Sequence, residues 1–105
     1  MKILLDECVP WPMYKLLGEH DCTTPVRHGW GGIQNGELLR HAESAFDLFI
    51  TSDQNLRYQQ NLAIRRIAII QLSTNKLRRI ISAASLISSA VASIKPGDFL
   101  DLQIP

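Results

Sequence analysis

The sequence predicts an α/β domain built on a mainly parallel sheet. Three observations lead there. Short runs such as Ile3-Leu4-Leu5 and Ile67-Ala68-Ile69-Ile70 are apolar throughout, as strands are when both faces of their sheet are covered. Segments with apolar residues three and four apart fall between such runs, so the order reads β-α-β-loop-α-β-α-β-α-β. Two of the strand-like runs also stop at acids: Asp6-Glu7 after the first and Asp53 after the one at 47–52. In open parallel sheets, ligands bind just beyond the carboxyl ends of the strands.

With 105 residues the chain has room for one hydrophobic core. A hydrophobic content of 46% with 20% charged residues is that of a folded globular domain, not of a disordered one. Apolar runs stay well short of the roughly 18–20 residues that a membrane helix needs. The apolar stretch before Asp6 is too short for a signal peptide, so a cytoplasmic location is expected.

The first strand is read at 2–6. Pro10 and Pro12 punctuate the chain and open a helix at about 11–19, since the first helical N–H groups lack partners anyway. Its apolar side is Met13, Leu16 and Leu17, and Gly18 falls where glycine commonly ends a helix. The threonine-rich run Asp21–Val26 reads as a second strand, with Pro25 placing it near an edge or ending it. Arg27-His28-Gly29-Trp30-Gly31-Gly32 is a loop without the spacing of a phosphate-binding motif. Trp30 is expected to pin that loop to the core in preference to acting as a lid or stacking platform.

Asn35 suits the N-cap of a helix at about 36–45, whose apolar side is Leu38, Leu39, Ala42 and Phe46. Glu37 in its first turn gains about 0.3–1 kcal/mol from the helix dipole, a structural reason for an acid at that position. After the strand at 47–52, the polar run from Asp53 to Asn61 begins a short helix; its Arg57 and Tyr58 suit a surface that meets nucleic acid. Arg65 and Arg66 precede the next strand. Leu77, Ile80, Ile81, Ala84, Ile87, Val91 and Ile94 then predict one helix over about 77–94 with a continuous buried stripe. Part of that apolar side is long enough to pair in a homodimer. Pro96-Gly97 ends the helix, and the alternation over Phe99–Ile104 predicts a half-exposed terminal strand.

The net charge of +1 conceals two unlike halves. Residues 1–53 hold eight acids against four bases, and residues 54–105 hold seven bases against two acids. Such asymmetry fits a polyanionic partner or a bound cation. Cys8 and Cys22 match no metal or redox spacing and read as reduced thiols.

Asp6, Glu37 and Asp53 all belong to the carboxyl rim of the predicted sheet, with strands one and three neighbours across its switch point. Carboxylates about 5 Å apart repel by roughly 3 kcal/mol per pair at an effective dielectric of about 20, which a cation between them offsets. Oxygen ligands without a Cys/His cluster favour Mg²⁺ or Mn²⁺ over zinc. That chemistry suits phosphodiester hydrolysis, with Arg57 and Arg65 holding flanking phosphates. Asp6 is the acid expected to act; Glu7, one position on, points the other way if the strand persists.

The segments Met1–Pro10, Asn35-Gly36-Glu37-Leu38-Leu39 and Ile50–Leu62 resemble the short PIN-like proteins, a prokaryotic family related to PIN-domain ribonucleases and to the toxins of toxin–antitoxin pairs. The resemblance covers nearly the whole chain. It implies a three-layer α/β/α PIN-like fold and a metal-dependent nuclease site at Asp6, Glu37 and Asp53. Glu7, Asn35 and Asn55 would stand close by, with Arg57, Tyr58, Arg65 and Arg66 toward RNA. It also implies an RNA substrate and a cognate antitoxin protein as partners. Two departures bear on activity: Asn35 stands where many relatives have Asp, and Ser73-Thr74-Asn75 follows the fourth strand where PIN nucleases usually carry a fourth acid. The alternative is therefore a catalytically inactive PIN-like module that binds RNA or a partner protein. A phosphate-handling receiver domain is disfavoured, because Lys76 and Lys95 are badly placed for one.

Overall fold

A computed structural model of the chain describes residues 1–33, 35–54 and 66–105. Five strands form one sheet: β1 (Lys2–Leu5), β2 (Asp21–Thr23), β3 (Leu48–Thr51), β4 (Ala68–Leu72) and β5 (Phe99–Leu102). Their order is β2-β1-β3-β4-β5, and every pairing is parallel. The chain leaves β1 for β2 on one side and then returns to place β3 on the other. The switch point therefore lies between β1 and β3, at the registers Ile3↔Leu48 and Leu5↔Ile50.

Each face of the sheet carries its own core. Ile3, Leu5, Leu48, Ile50, Ile70 and Leu72 face a 3₁₀ segment (Trp11–Leu17) and the helices α2 (Leu77–Ser82) and α3 (Ala84–Ser93). The alternate set, Leu4, Phe49 and Ile69, packs with Leu38, Leu39, Ala42 and Phe46 of α1 (Asn35–Ala42) and its following turn. This period-two division explains why β3 and β4 are buried at every position. Among the described residues no helix is long and apolar enough to cross a membrane.

The edges behave as their sequences require. β2 is an edge strand and stops before Pro25, which has no N–H to give to a ladder. β5 is the other edge, with only Leu102 of its four residues buried.

The helices differ from expectation in three ways. The first is a 3₁₀ helix of seven residues, not an α-helix. Met13 N–H donates to Pro10 C=O three residues back, at 3.1 Å, while Pro12 beside it has no N–H to donate. Gly18 ends it in right-handed geometry, so its glycine is not used for a left-handed cap. Second, α1 starts at Asn35 and ends at Ala42, and the chain to Phe46 closes in turns on Ala42 C=O.

Third, the long helix over 77–94 is interrupted at Ala83 (φ −101°, ψ 22°), although Ile87 N–H still reaches Ala83 C=O at 3.0 Å. Just before the break, the Ser82 hydroxyl donates to Arg78 C=O at 3.1 Å, a competition that bends helices. The break turns the stripe: Ile80, Ala83, Ile87, Ala90 and Val91 are buried, while Ile81 is 51% exposed. The continuous stripe predicted from spacing is thus corrected at Ile81. The short helix expected after Asp53 lies outside the described residues.

Candidate metal site at the carboxyl rim

The ladder between β1 and β3 continues one residue past β1, because Asp6 N–H donates to Ile50 C=O at 2.9 Å. This puts Asp6 opposite Thr51, on the face that Leu4 and Phe49 share with α1. Extending the row across the sheet gives Thr51↔Gln71 and Gln71↔Asp101. A polar row thus closes the α1 face of an otherwise apolar sheet.

Thr51 is the centre of the row. It is fully buried, and its hydroxyl donates to Asp6 Oδ2 at 2.7 Å while accepting Asp53 N–H at 3.0 Å. One side chain thereby fixes the acid that follows β1 to the backbone of the acid that follows β3. Asp6 is oriented further by Glu7 N–H on Oδ1 at 2.8 Å and by the Cys8 thiol on Oδ2 at 3.3 Å. Cys8 is also an acceptor for Ser52 N–H at 3.4 Å, and the Ser52 hydroxyl donates to Cys8 C=O at the same distance. The two turns that carry Asp6 and Asp53 are therefore stitched together by hydrogen bonds from both sides.

Beyond Thr51 the row continues with Gln54 and Gln71. The Gln54 amide donates to Leu72 C=O at 2.7 Å, and Gln71 Nε2 lies 3.4 Å from both Gln54 Oε1 and Asp101 Oδ1. Those two acceptors fix the orientation of the Gln71 amide and leave its Oε1 buried without a partner among the described residues. Asp101 supplies an acid to this rim. At about 4.8 Å per strand, however, it stands about 14 Å from Asp6, too far to share one cation with it.

Of the acids chosen from sequence, Asp6 is joined through Thr51 to the backbone N–H of Asp53, and both residues are partly exposed. Glu37 is exposed in the first turn of α1, which enters from the same rim as the strand ends. Among the described residues no three His, Cys, Asp or Glu side chains already converge as a ready-made metal cluster. Glu7 diverges from Asp6, its Oε1 accepting Val26 N–H at 3.3 Å in the loop after β2. Asn35 is the first residue of α1. Asn55, Arg57, Tyr58 and Arg65 lie outside the described residues.

Arg66 lies apart from the acids. It precedes β4 and so lies at the amino ends of the strands, with its C=O accepting Gly97 N–H at 2.8 Å. There it lines a cavity of about 500 Å³ with Met1, Glu43, Asp47 and Lys95. About 17 Å of strand separates that cavity from the carboxyl rim, so Arg66 does not stand beside Asp6 and Asp53.

Sequence reading gave no site role to Thr51, Gln54 or Gln71, and to Cys8 none beyond proximity. For Thr51 the signal was present in its position two residues before Asp53, at the end of a buried strand. Trp30 does pin its loop: its ring stands 5.8 Å from Phe46 and 4.4 Å edge-on from His28, beside the α1 core. Away from the rim, burial first and the Asp21 charge second push the Cys22 thiol up from its ordinary value, against a smaller opposing effect of the amino terminus. Comparison of the chain with protein-family models, with curated proteins and with solved structures found no match.

Proposed function

We propose that this protein is a metal-dependent ribonuclease of the PIN-like kind that its sequence resembles, acting as the toxin of a two-protein pair. The observation that carries the reading is the Thr51 hydroxyl, which binds Asp6 on one side and the Asp53 backbone on the other. It sits at the β1/β3 switch point, where parallel α/β sheets place their ligands.

The donor set fits Mg²⁺ or Mn²⁺. It consists of oxygens alone, and such ions are typically held by one or two carboxylates, with water and substrate phosphate completing the shell. Asp6 and Asp53 would be the principal ligands, and Glu37 the third ligand or the group that orients the attacking water. When bound, the ion supplies Lewis acidity toward the phosphodiester and lowers the pKa of water at neutral pH. The protein's own contribution is orientation: Glu7 N–H, Thr51 and Cys8 hold the Asp6 carboxylate in one pose before substrate arrives.

The alternative, an inactive PIN-like module that binds RNA or a partner protein, draws on the region after β4. Ser73, the first residue there, accepts Ile104 N–H on its hydroxyl at 2.8 Å, and Ser73-Thr74-Asn75 contains no acid. Incubation with Mn²⁺ and mixed RNAs separates the two readings. Cleavage by the parent should fall at least about 100-fold in Asp6→Asn and in Asp53→Asn, in the range expected when groups that position a reaction are lost. Cleavage that survives in both variants contradicts the site, and a parent that leaves RNA intact favours the binding module.

A further inference from the structure

We propose that Arg27, Trp11 and Tyr14 form a stacking ledge on which single-stranded RNA lies as it approaches the Asp6–Asp53 rim. This deepens the nuclease reading and rests on it for the identity of the strand. The Arg27 guanidinium carbon stands 4.3 Å from the centroid of the Trp11 ring. Trp11 in turn stacks on Tyr14, with centroids 4.6 Å apart and planes inclined by 20°. Three flat groups thus form a pile whose root, Trp11, packs against the β1 core, while Tyr14 is 37% exposed.

Arg27 is held ready for a ligand. Its backbone N–H is fixed by Thr24 Oγ1 at 3.2 Å, yet its guanidinium makes no hydrogen bond or ion pair with the described residues. Stacking sets the plane of a guanidinium and leaves the N–H groups on its edge to meet phosphate oxygens in pairs. An arginine that only latched a loop would ordinarily satisfy some of those donors on protein acceptors. The exposed Tyr14 ring adds a face on which a base can lie, and base–aromatic stacking tolerates any sequence. A duplex keeps its base faces covered, so the ledge selects single strands.

Trp11 packs on the 3₁₀ side of the sheet and the Asp6 carboxylate faces the α1 side, so a strand on the ledge would reach the acids over the carboxyl rim; Trp11 is five residues from Asp6, a span of at most about 18 Å. Val26, the neighbour of Arg27, donates its N–H to Glu7 Oε1 in the turn that carries Asp6. Arg66 lies at the opposite rim, whereas Arg27 lies in the loop that follows β2 and is tied through Val26 to the turn that carries Asp6.

The test measures fluorescence anisotropy of a short fluorescein-labelled single-stranded RNA, with EDTA present so that no cleavage occurs. Relative to the parent, Arg27→Ala and Tyr14→Ala should each weaken binding about tenfold, the loss of one stacking contact. Arg27→Lys keeps the charge but not the planar edge, and should recover only part of the affinity. Melting temperatures equal to the parent's identify the loss as one of binding. Parent-like affinity in Arg27→Ala, or a parent that binds no single strand, overturns the ledge. Adding Mn²⁺ separates this inference from the nuclease reading. Equal RNA cleavage by parent and Arg27→Ala removes the ledge and keeps the nuclease, whereas binding lost in Arg27→Ala with no cleavage by any protein keeps the ledge and removes the nuclease.

Discussion

At the scale of single residues, Thr51 has the largest role for its size. It is wholly buried, so its hydrogen bonds to Asp6 and Asp53 are made away from bulk water. Thr51→Val keeps the branched shape and the strand preference but removes the hydroxyl from between two polar groups. Leaving those groups unpaired costs about 1–3 kcal/mol. Urea unfolding should show that loss, and RNA cleavage should fall with it because Asp6 loses its anchor. The thiols give a second residue-scale expectation. Cys8 is exposed and Cys22 half-buried, with its thiol pushed up, so a disulfide reagent should modify Cys8 well before Cys22. For Cys22 the folded thiol holds its proton more tightly than the unfolded one. Its contribution to stability is then complete below the ordinary value of 9.0 and is lost as pH rises through the folded value. The urea midpoint of the parent should accordingly decline more steeply as pH rises above 9.0 than that of Cys22→Ser.

Among the elements, the interrupted helix shows what local pattern can and cannot carry. Ile80, Ile87 and Val91 recur at helical spacing and are buried, as the periodicity required. Ile81 fits the same periodicity but faces outward, because the break at Ala83 re-aims the first two turns. Ile87→Ala should therefore cost about 2–5 kcal/mol, and Ile81→Ala no more than about 0.5 kcal/mol, in urea unfolding. Strands were legible for a simple reason: a run buried on both faces is apolar at every position, and β3 and β4 are. The 3₁₀ form of Trp11–Leu17 was less so, since prolines at a helix start are compatible with either kind of helix. Asp6 and Asp53 were legible as acids that follow buried strands. The position of Arg66 was legible too, because in a parallel sheet a residue that precedes a strand lies at the rim opposite one that follows it. The hydrogen bonds that Thr51 makes were not legible, since they depend on the register of two strands 45 residues apart in the chain.

For the whole molecule, strand order turns a property of the chain into one of the surface. The acid-rich residues 1–53 build β2, β1 and β3, and the base-rich remainder supplies β4 and β5 on the other side of the sheet. The switch point falls inside the acidic portion, where a cation is attracted, and the basic portion flanks it, where a polyanion is attracted. In the proposed site, Asp6 and Asp53 jointly hold a divalent ion at this point. The most direct check is the melting temperature of the parent, Asp6→Asn and Asp53→Asn, each with and without Mn²⁺. An ion present at about 100 times its dissociation constant stabilises the folded state that binds it by about 2.7 kcal/mol, a clear rise in melting temperature. The parent should show that rise and both variants should lose it. An equal rise in all three proteins, or none in the parent, would contradict the claim.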